Sequence, residues 1–218
     1  MRSNFGVLFD MDGVIVHSNP AHKKAINIFC DKHDIEIDDD YLKNNIYGRA
    51  NKEWIPKIFG DISTERLKEL ADEKEQIFRD IFDPEAMQVP GVIRFIRQLK
   101  EQKVKMVVAT SAPGENADFI LNKLAIYDMF DAVLDSSHVT HSKPHPEPYH
   151  NAAKAIGLTA PECIVIEDSV SGVQSGLAAG AAVIGVATTH TPEELSDCHL
   201  VINDFENFTL DSMLSLKD

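Results

Sequence analysis

Short, wholly apolar runs alternate along this chain with stretches of helical periodicity, and that alternation leaves few folds open. The apolar runs fall at 5–9, 105–109, 132–134, 163–166, 182–186 and 199–201. A strand with one wet face alternates polar and apolar residues, whereas a continuous apolar run implies cover on both faces. Helical spacing lies between the runs, at 92–102, 114–124, 146–156 and 170–179. Strand–helix alternation predicts a parallel sheet with right-handed crossovers. The expected fold class is therefore α/β, a three-layer core around a parallel sheet.

One segment breaks the rhythm. Residues 17–85 hold no convincing strand but helical stretches at 20–33, 39–45, 52–59 and 63–82. Ser63-Thr64-Glu65-Arg66 carries a capping residue for the last of these, and Asp38-Asp39-Asp40 reads as an acidic helix start, favoured by the helix dipole. Gln88-Val89-Pro90-Gly91 marks the return to the sheet. The expected organisation is a core from 1–16 and 86–218, with a small all-helical domain, 17–85, inserted after the first strand. Two crossings, near 15–19 and 83–91, are expected to act as a hinge about which the insert opens and closes; a rigid helical subdomain is the alternative. Trp54 and Phe59 are expected to pack the insert's own core. Residues 188–193 read as a loop and helix cap, and 208–216 as a closing helix.

Composition narrows the partners. The chain has 218 residues and a net charge of −14, which argues against nucleic acid and anionic membrane surfaces. A small anionic substrate stays open, because a bound cation and a few aimed donors can dominate a local field. No apolar run approaches the roughly 20 residues of a membrane span, and Met1-Arg2-Ser3-Asn4 leads straight into a strand with no signal-peptide pattern. Cys30, Cys163 and Cys198 are an odd number without metal-type spacing, so they are read as small hydrophobes in a reduced, cytoplasmic protein. A monomer or a weak homodimer is expected.

Four features recur at strand ends. Asp10-Met11-Asp12-Gly13 follows the first apolar run, at the carboxyl end of a strand, where open α/β sheets bind ligands. Paired carboxylates there can hold a metal ion and offer a nucleophilic oxygen. A calcium loop would need Gly at position six and Glu at twelve, whereas counting from Asp10 gives Ile15 and Ala21. A solvated turn remains the plain alternative. Thr110-Ser111-Ala112 ends the second run; such a turn cradles phosphate through its amides, although a simple helix cap is the commoner use. In Ser142-Lys143-Pro144-His145-Pro146-Glu147 the prolines stiffen a helix entry and fix Lys143 just before it, as a candidate phosphate ligand; a solvated surface charge is the commoner use of a lone Lys. Finally, 163–166 ends in Glu167-Asp168-Ser169, with Gly172 and Gly176 allowing close helix packing.

Each feature is ordinary alone. Together, in this order, they resemble the haloacid dehalogenase superfamily of phosphotransferases, and within it the β-phosphoglucomutase-like branch of sugar-phosphate phosphatases and mutases. The resemblance covers nearly the whole chain and implies a Rossmann-like core with a helical cap. It implies that Asp10 is the nucleophile forming an aspartyl-phosphate and that Asp12 is the general acid and base. It further implies that Asp10, the Asp12 carbonyl and Asp168 hold Mg²⁺, with Glu167 binding the metal or orienting its waters. Ser111, the Ala112 amide and Lys143 would hold the transferring phosphoryl oxygens, Lys143 and Mg²⁺ offsetting the repulsion between carboxylates and phosphate.

The cap carries the substrate question. Ser18 and His22 follow the catalytic loop, and His22 has the spacing of a hinge-side histidine of the mutase-like branch; a helix-surface histidine is the alternative, and His17 is read as structural. Asn45-Ile46-Tyr47-Gly48-Arg49-Ala50-Asn51 matches the specificity loop. In β-phosphoglucomutases that loop has a Lys before the Gly and, three residues after it, an Arg that holds the second phosphate. Tyr47 and Asn51 stand there in this chain, with Arg49 directly after Gly48. Loss of a bidentate clamp weakens the grip on a bisphosphate. Lys74 is either a further substrate contact or part of a solvated face.

The expected function is thus a Mg²⁺-dependent phosphatase of a small phosphorylated metabolite, a sugar or polyol phosphate. The alternative is β-phosphoglucomutase or a related hexose-phosphate mutase. Haloacid dehalogenation needs neither Mg²⁺ nor a second aspartate, so Asp12, Glu167 and Asp168 count against it. A non-catalytic phosphate-binding module on the same fold is a further class, and the complete motif set counts against that too.

Overall fold

In the computed structural model, which describes residues 5–46 and 50–216, the chain divides into two compact units, 1–17 with 84–218 and 18–83. In chain order the main elements are β1 (Gly6–Phe9), α1 (Asn19–Lys32), α2 (Asp39–Asn45), α3 (Asn51–Phe59), α4 (Thr64–Ile81), α5 (Val92–Glu101), β2 (Lys105–Ala109), α6 (Gly114–Lys123), β3 (Ala132–Leu134), α7 (Glu147–Ala155), β4 (Cys163–Glu167), α8 (Val170–Ala178), β5 (Ala182–Val186), β6 (Leu200–Ile202) and α9 (Leu210–Leu214).

The strands of the larger unit form one parallel sheet in the order β3-β2-β1-β4-β5-β6. β1 lies between β2 and β4, with Leu8 level with Val107 on one side and Val165 on the other. All four residues of β1 are buried. Successive side chains leave a strand on opposite faces, so both faces are covered, as the apolar runs demand. One face packs Leu8, Val107 and Val165 with Tyr149, Ala152 and Ala153 of α7 and Val173 of α8. The fold is the expected Rossmann-like α/β core. Its strand order reverses between β1 and β4, the switch point at which open α/β sheets bind ligands beyond the carboxyl ends.

Glycine sets the distance of α8 from the sheet. A Cβ on Gly176 would stand 2.9 Å from Val183 and 3.1 Å from Val165, inside normal contact. Ser169 caps the helix by accepting from the Gly172 amide at 3.0 Å.

The smaller unit is all-helical among its described residues. Asp38 caps α2 by accepting from the Tyr41 amide, and Ser63 caps α4 by accepting from the Arg66 amide. Its core gathers Ile26, Phe29 and Cys30 of α1, Leu42 and Ile46, Trp54 and Ile55 of α3 and Leu70 of α4, with Phe59 packed against them. Phe29 meets Trp54 edge-on at 5.8 Å. The unit thus buries its own apolar surface, as expected of Trp54 and Phe59.

The structure differs from the sequence expectation in several element bounds and in one missing helix. The first strand starts at Gly6 rather than Phe5, and the last runs one residue later than expected, to Ile202. The helix expected to follow 188–193 does not form: residues 192–197 are turns, in which Thr191 and Glu194 bond each other's amides across a single turn. Among the described residues, no helix is long and apolar enough to cross a membrane.

Candidate active site

Asp10 is the first residue past β1. Its amide still bonds the Ile166 carbonyl of β4 at 3.0 Å, so the carboxylate is set by the sheet rather than by a loose loop. The chain then folds tightly. The Met11 carbonyl accepts from the amides of Ile15 at 2.8 Å and Val16 at 3.2 Å, and the Gly13 amide donates to Val16 at 2.7 Å. Gly13 has φ +81°, and a Cβ there would lie 1.9 Å from Asp168 Oδ2. Only glycine allows both that backbone and that approach.

Lys143 ties the site together. Its side chain is 7% exposed, and Nζ donates to Asp10 Oδ1 at 2.6 Å, Glu167 Oε1 at 2.7 Å and the Ala109 carbonyl at 3.1 Å. Those bonds use the three donors an ammonium has. Glu167, the last residue of β4, has no exposed surface. Besides Lys143, it accepts from the Tyr149 hydroxyl at 2.8 Å, the amides of Asp168 and Ser169, and the Ser169 hydroxyl. A carboxylate has about four acceptor positions, so Glu167 is saturated by protein donors. It anchors Lys143.

Asp10, Glu167 and Asp168 each place a carboxylate oxygen within 4.8 Å of the other two. Burial, and then the charges of Glu167 and Asp12, outweigh Lys143 and push the Asp10 carboxyl up to about 7. Burial, with the charges of Glu167 and Asp10, pushes Asp168 up to about 8. Burial opposes ionisation at Glu167 too, but the Lys143 charge and the donors around it hold its carboxyl below the ordinary range. Desolvation works against the Lys143 ammonium, and the two carboxylates it touches hold it firmly protonated. Were all three carboxylates ionised beside one ammonium, two negative charges would stand uncompensated, which is why Asp10 and Asp168 resist losing their protons. A hard divalent cation coordinated by oxygen fits that deficit and that donor set.

The other expected phosphate ligands end β2, the neighbour of β1. Ser111 is exposed. The Ala112 amide donates to the Thr110 hydroxyl at 3.0 Å, so a phosphoryl oxygen has to compete with that hydroxyl. Asp12 is half-buried and its side chain stands outside the converging carboxylates, although its charge acts on Asp10.

Sequence reasoning missed four supports. Tyr149 carries no motif signal beyond being an aromatic early in α7. Thr188, Thr189 and His190 belong to the stretch read as a loop and helix cap; in the structure the Thr188 hydroxyl donates to the Gly13 carbonyl, the Thr189 side chain bonds Asp168, and His190 Nδ1 lies 3.1 Å from the Asp168 carbonyl. A run of hydroxyls after a buried strand was the available signal.

In the helical unit, Ser18 is fully buried and its carbonyl accepts the His22 amide at 3.0 Å. His22 stacks on Phe78 at 3.8 Å, and its Nδ1 lies 2.9 Å from Lys74 Nζ. An ammonium only donates, so Nδ1 accepts and the ring proton sits on Nε2. Lys74 does not lie on a solvated face: it is 4% exposed and donates to the buried Glu75 at 2.8 Å. The same Glu75 oxygen accepts from Asn51 at 2.7 Å, and Asn51 accepts from the Trp54 indole at 3.2 Å. Tyr47, Gly48 and Arg49 lie outside the described residues.

The model of the haloacid dehalogenase-like hydrolases matches residues 6–180. The chain is 28% identical over 197 residues to validoxylamine A 7′-phosphate phosphatase of Streptomyces hygroscopicus subsp. limoneus, covering 90% of this chain and 92% of that protein. It is 29% identical over 214 residues to β-phosphoglucomutase of Bacillus subtilis, covering 94% and 92%. A solved haloacid dehalogenase hydrolase of family IA, variant 3, from Entamoeba histolytica is 30% identical, with a TM-score of 0.87 over 98% of this chain and 100% of that one. The carboxylates beyond β1 and β4 thus lie within the matched span of the family, and the chain is an enzyme that belongs to the haloacid dehalogenase-like hydrolases.

Proposed function

We propose that the protein is a Mg²⁺-dependent phosphatase that hydrolyses a small phosphorylated metabolite, a sugar or polyol phosphate, through an aspartyl-phosphate on Asp10. The observation that carries this reading is the buried Asp10 carboxylate, held 2.6 Å from Lys143 Nζ in one cluster with Asp168 and Glu167. Asp10, Asp168 and the Asp12 main-chain carbonyl are the groups that would hold the metal, which when bound cancels the excess negative charge and draws electron density from the phosphoryl oxygens.

The protein groups act in two steps. An Asp10 oxygen bonds to phosphorus as the bond to the leaving oxygen breaks, and Asp12 gives that oxygen a proton. Asp12 then takes a proton from water as the water oxygen bonds to phosphorus, and the bond to Asp10 breaks, releasing phosphate. Lys143 faces the charge that grows on the phosphoryl oxygens. Ser111 and the Ala112 amide give further donors, the amide after exchanging its bond to Thr110.

A mutase needs a firm hold on a second phosphate. In the helical unit the Lys74 charge is already paired with Glu75, and Asn51, where a β-phosphoglucomutase would have Arg, binds the same carboxylate. This supports hydrolysis over interconversion. The relative named β-phosphoglucomutase supports the second reading, in which a sugar hydroxyl rather than water attacks the aspartyl-phosphate.

The test is a panel of phosphorylated metabolites with Mg²⁺, following inorganic phosphate and sugar-phosphate isomers together, with Asp10→Asn as control. Phosphate release that disappears in Asp10→Asn is expected. Isomer interconversion with little net phosphate would establish the mutase, and release that persists in Asp10→Asn would overturn the nucleophile.

A further inference from the structure

His141, His145 and Glu147 form a second group of metal-type ligands, separate in composition from the buried carboxylates. One ligand atom of each lies within 4.8 Å of the other two. His141 Nδ1 is 2.8 Å from Glu147 Oε2, and His145 Nδ1 is 4.0 Å from the same oxygen. The two imidazole rings face each other with centroids 4.6 Å apart. Both histidines are exposed and Glu147 is half-buried, so an ion has a path in from solvent.

We propose that these three side chains bind a transition-metal cation of the Zn²⁺ or Ni²⁺ class. Two imidazoles and one carboxylate suit those borderline ions, whereas Mg²⁺ prefers oxygen donors and retained waters. Three protein ligands leave a fourth tetrahedral position for water. The two metal preferences therefore differ, with the hard cation at Asp10 and Asp168 and the softer one at the histidines.

The ligands are held before any ion arrives. Glu147 Oε1 accepts from the Thr140 amide at 2.7 Å, and Oε2 accepts from the His141 amide at 3.0 Å. The His145 carbonyl accepts from the Ser175 hydroxyl at 2.7 Å, and the His145 amide donates to Ser142 at 3.1 Å. Pre-placed ligands reduce the ordering that binding would otherwise require. The proton inventory is simple. At His141 the ring proton moves from Nδ1 to Nε2 as the metal takes the Nδ1 lone pair. At His145 the Nδ1 lone pair leaves the Glu147 amide, which it accepts at only 3.2 Å. At Glu147, Oε2 loses the hydrogen bond from the His141 ring and gives a lone pair to the ion in its place.

The site closes the short segment that carries Lys143, two residues from either histidine. An occupied site ties that segment on both sides of the residue that holds Asp10 and Glu167.

The experiment is calorimetric titration of tag-free protein with Zn²⁺ under saturating Mg²⁺, with Co²⁺ absorption reporting imidazole coordination. Wild type is expected to bind one Zn²⁺ per chain, weakened at least tenfold in His141→Ala and in His145→Ala and unchanged in Asp168→Asn. Thermal melts in metal-free buffer confirm that each variant is folded. Absence of saturable Zn²⁺ binding by wild type, equal binding by the histidine variants, or loss of binding in Asp168→Asn would each overturn the proposal. Because the readout is binding, it stands or falls independently of the phosphatase reading.

Discussion

Glu167 is a fully buried carboxylate that protein donors hold in place. Its five donors come from Lys143 ahead of α7, Tyr149 of α7, the strand end and the helix cap, and burial without them would leave a costly unpaired charge. Lys143 depends on it in turn. Lys143→Met removes the one ammonium among three carboxylates, and breaking a buried pair from one side costs about 3–5 kcal/mol. The expected outcome is a lowered denaturation midpoint and a fall in kcat/KM of about 100-fold or more, measured by urea unfolding and steady-state kinetics. At Glu75 the logic is reversed. Glu75→Gln leaves the Lys74 charge unpaired, so inhibition by a hexose bisphosphate is expected to tighten about tenfold. An unchanged inhibition constant would show that this pair does not select against a second phosphate.

Elements place these residues through a few close approaches. Helix α8 comes so near the end of β4 that a Cβ on Gly172 would meet Glu167 Oε1 at 1.7 Å and its carboxyl carbon at 1.9 Å. Gly172→Ala must therefore displace Glu167 or the helix. Overpacking of this kind costs about 1–3 kcal/mol. Activity is expected to fall further than stability, at least tenfold, because Lys143 moves with its partner. Circular dichroism melts set beside kinetics distinguish this from simple unfolding. Near-wild-type kcat with lowered stability would mean that the helix, not Glu167, yields. The loop after β5 acts at the same scale: Thr188 and Thr189 fasten the turn at Gly13 and the carboxylate of Asp168, which joins three strand ends into one site.

At the scale of the molecule, the sheet gathers three carboxylates around one ammonium at its switch point, and a divalent cation should stabilise the fold by offsetting their charge as Asp10 and Asp168 ionise. Mg²⁺ at one hundred times its Kd is expected to add about 2.7 kcal/mol. For a chain of this size that is a rise in Tm of several degrees, at about 2–4 °C per kcal/mol. Asp168→Asn should remove most of the rise while raising the metal-free Tm, since it relieves repulsion. A Tm in wild type that does not respond to Mg²⁺ would mean that the carboxylate cluster does not bind the ion.

The sequence by itself determined the sheet and the identity of its chemistry. Apolar runs bounded by polar turns leave buried parallel strands as the low-cost solution, and the carboxylates Asp10, Glu167 and Asp168 stand out because they follow directly on those runs; Lys143 stands out between the preceding turn and its prolines. The all-helical insert was equally legible, since a 3.6-residue period and the caps at Asp38 and Ser63 are local properties. Only the tertiary structure decided which partners each polar group would take. That Glu167 would be saturated by Tyr149, that the Ala112 amide would turn to Thr110, that Lys74 would be buried against Glu75, and that 188–190 would brace Gly13 and Asp168 all depend on residues far apart in the chain. Hydrogen bonds of that kind leave no periodic trace in sequence, because each is set by the geometry of two elements packed together rather than by the spacing of residues along one.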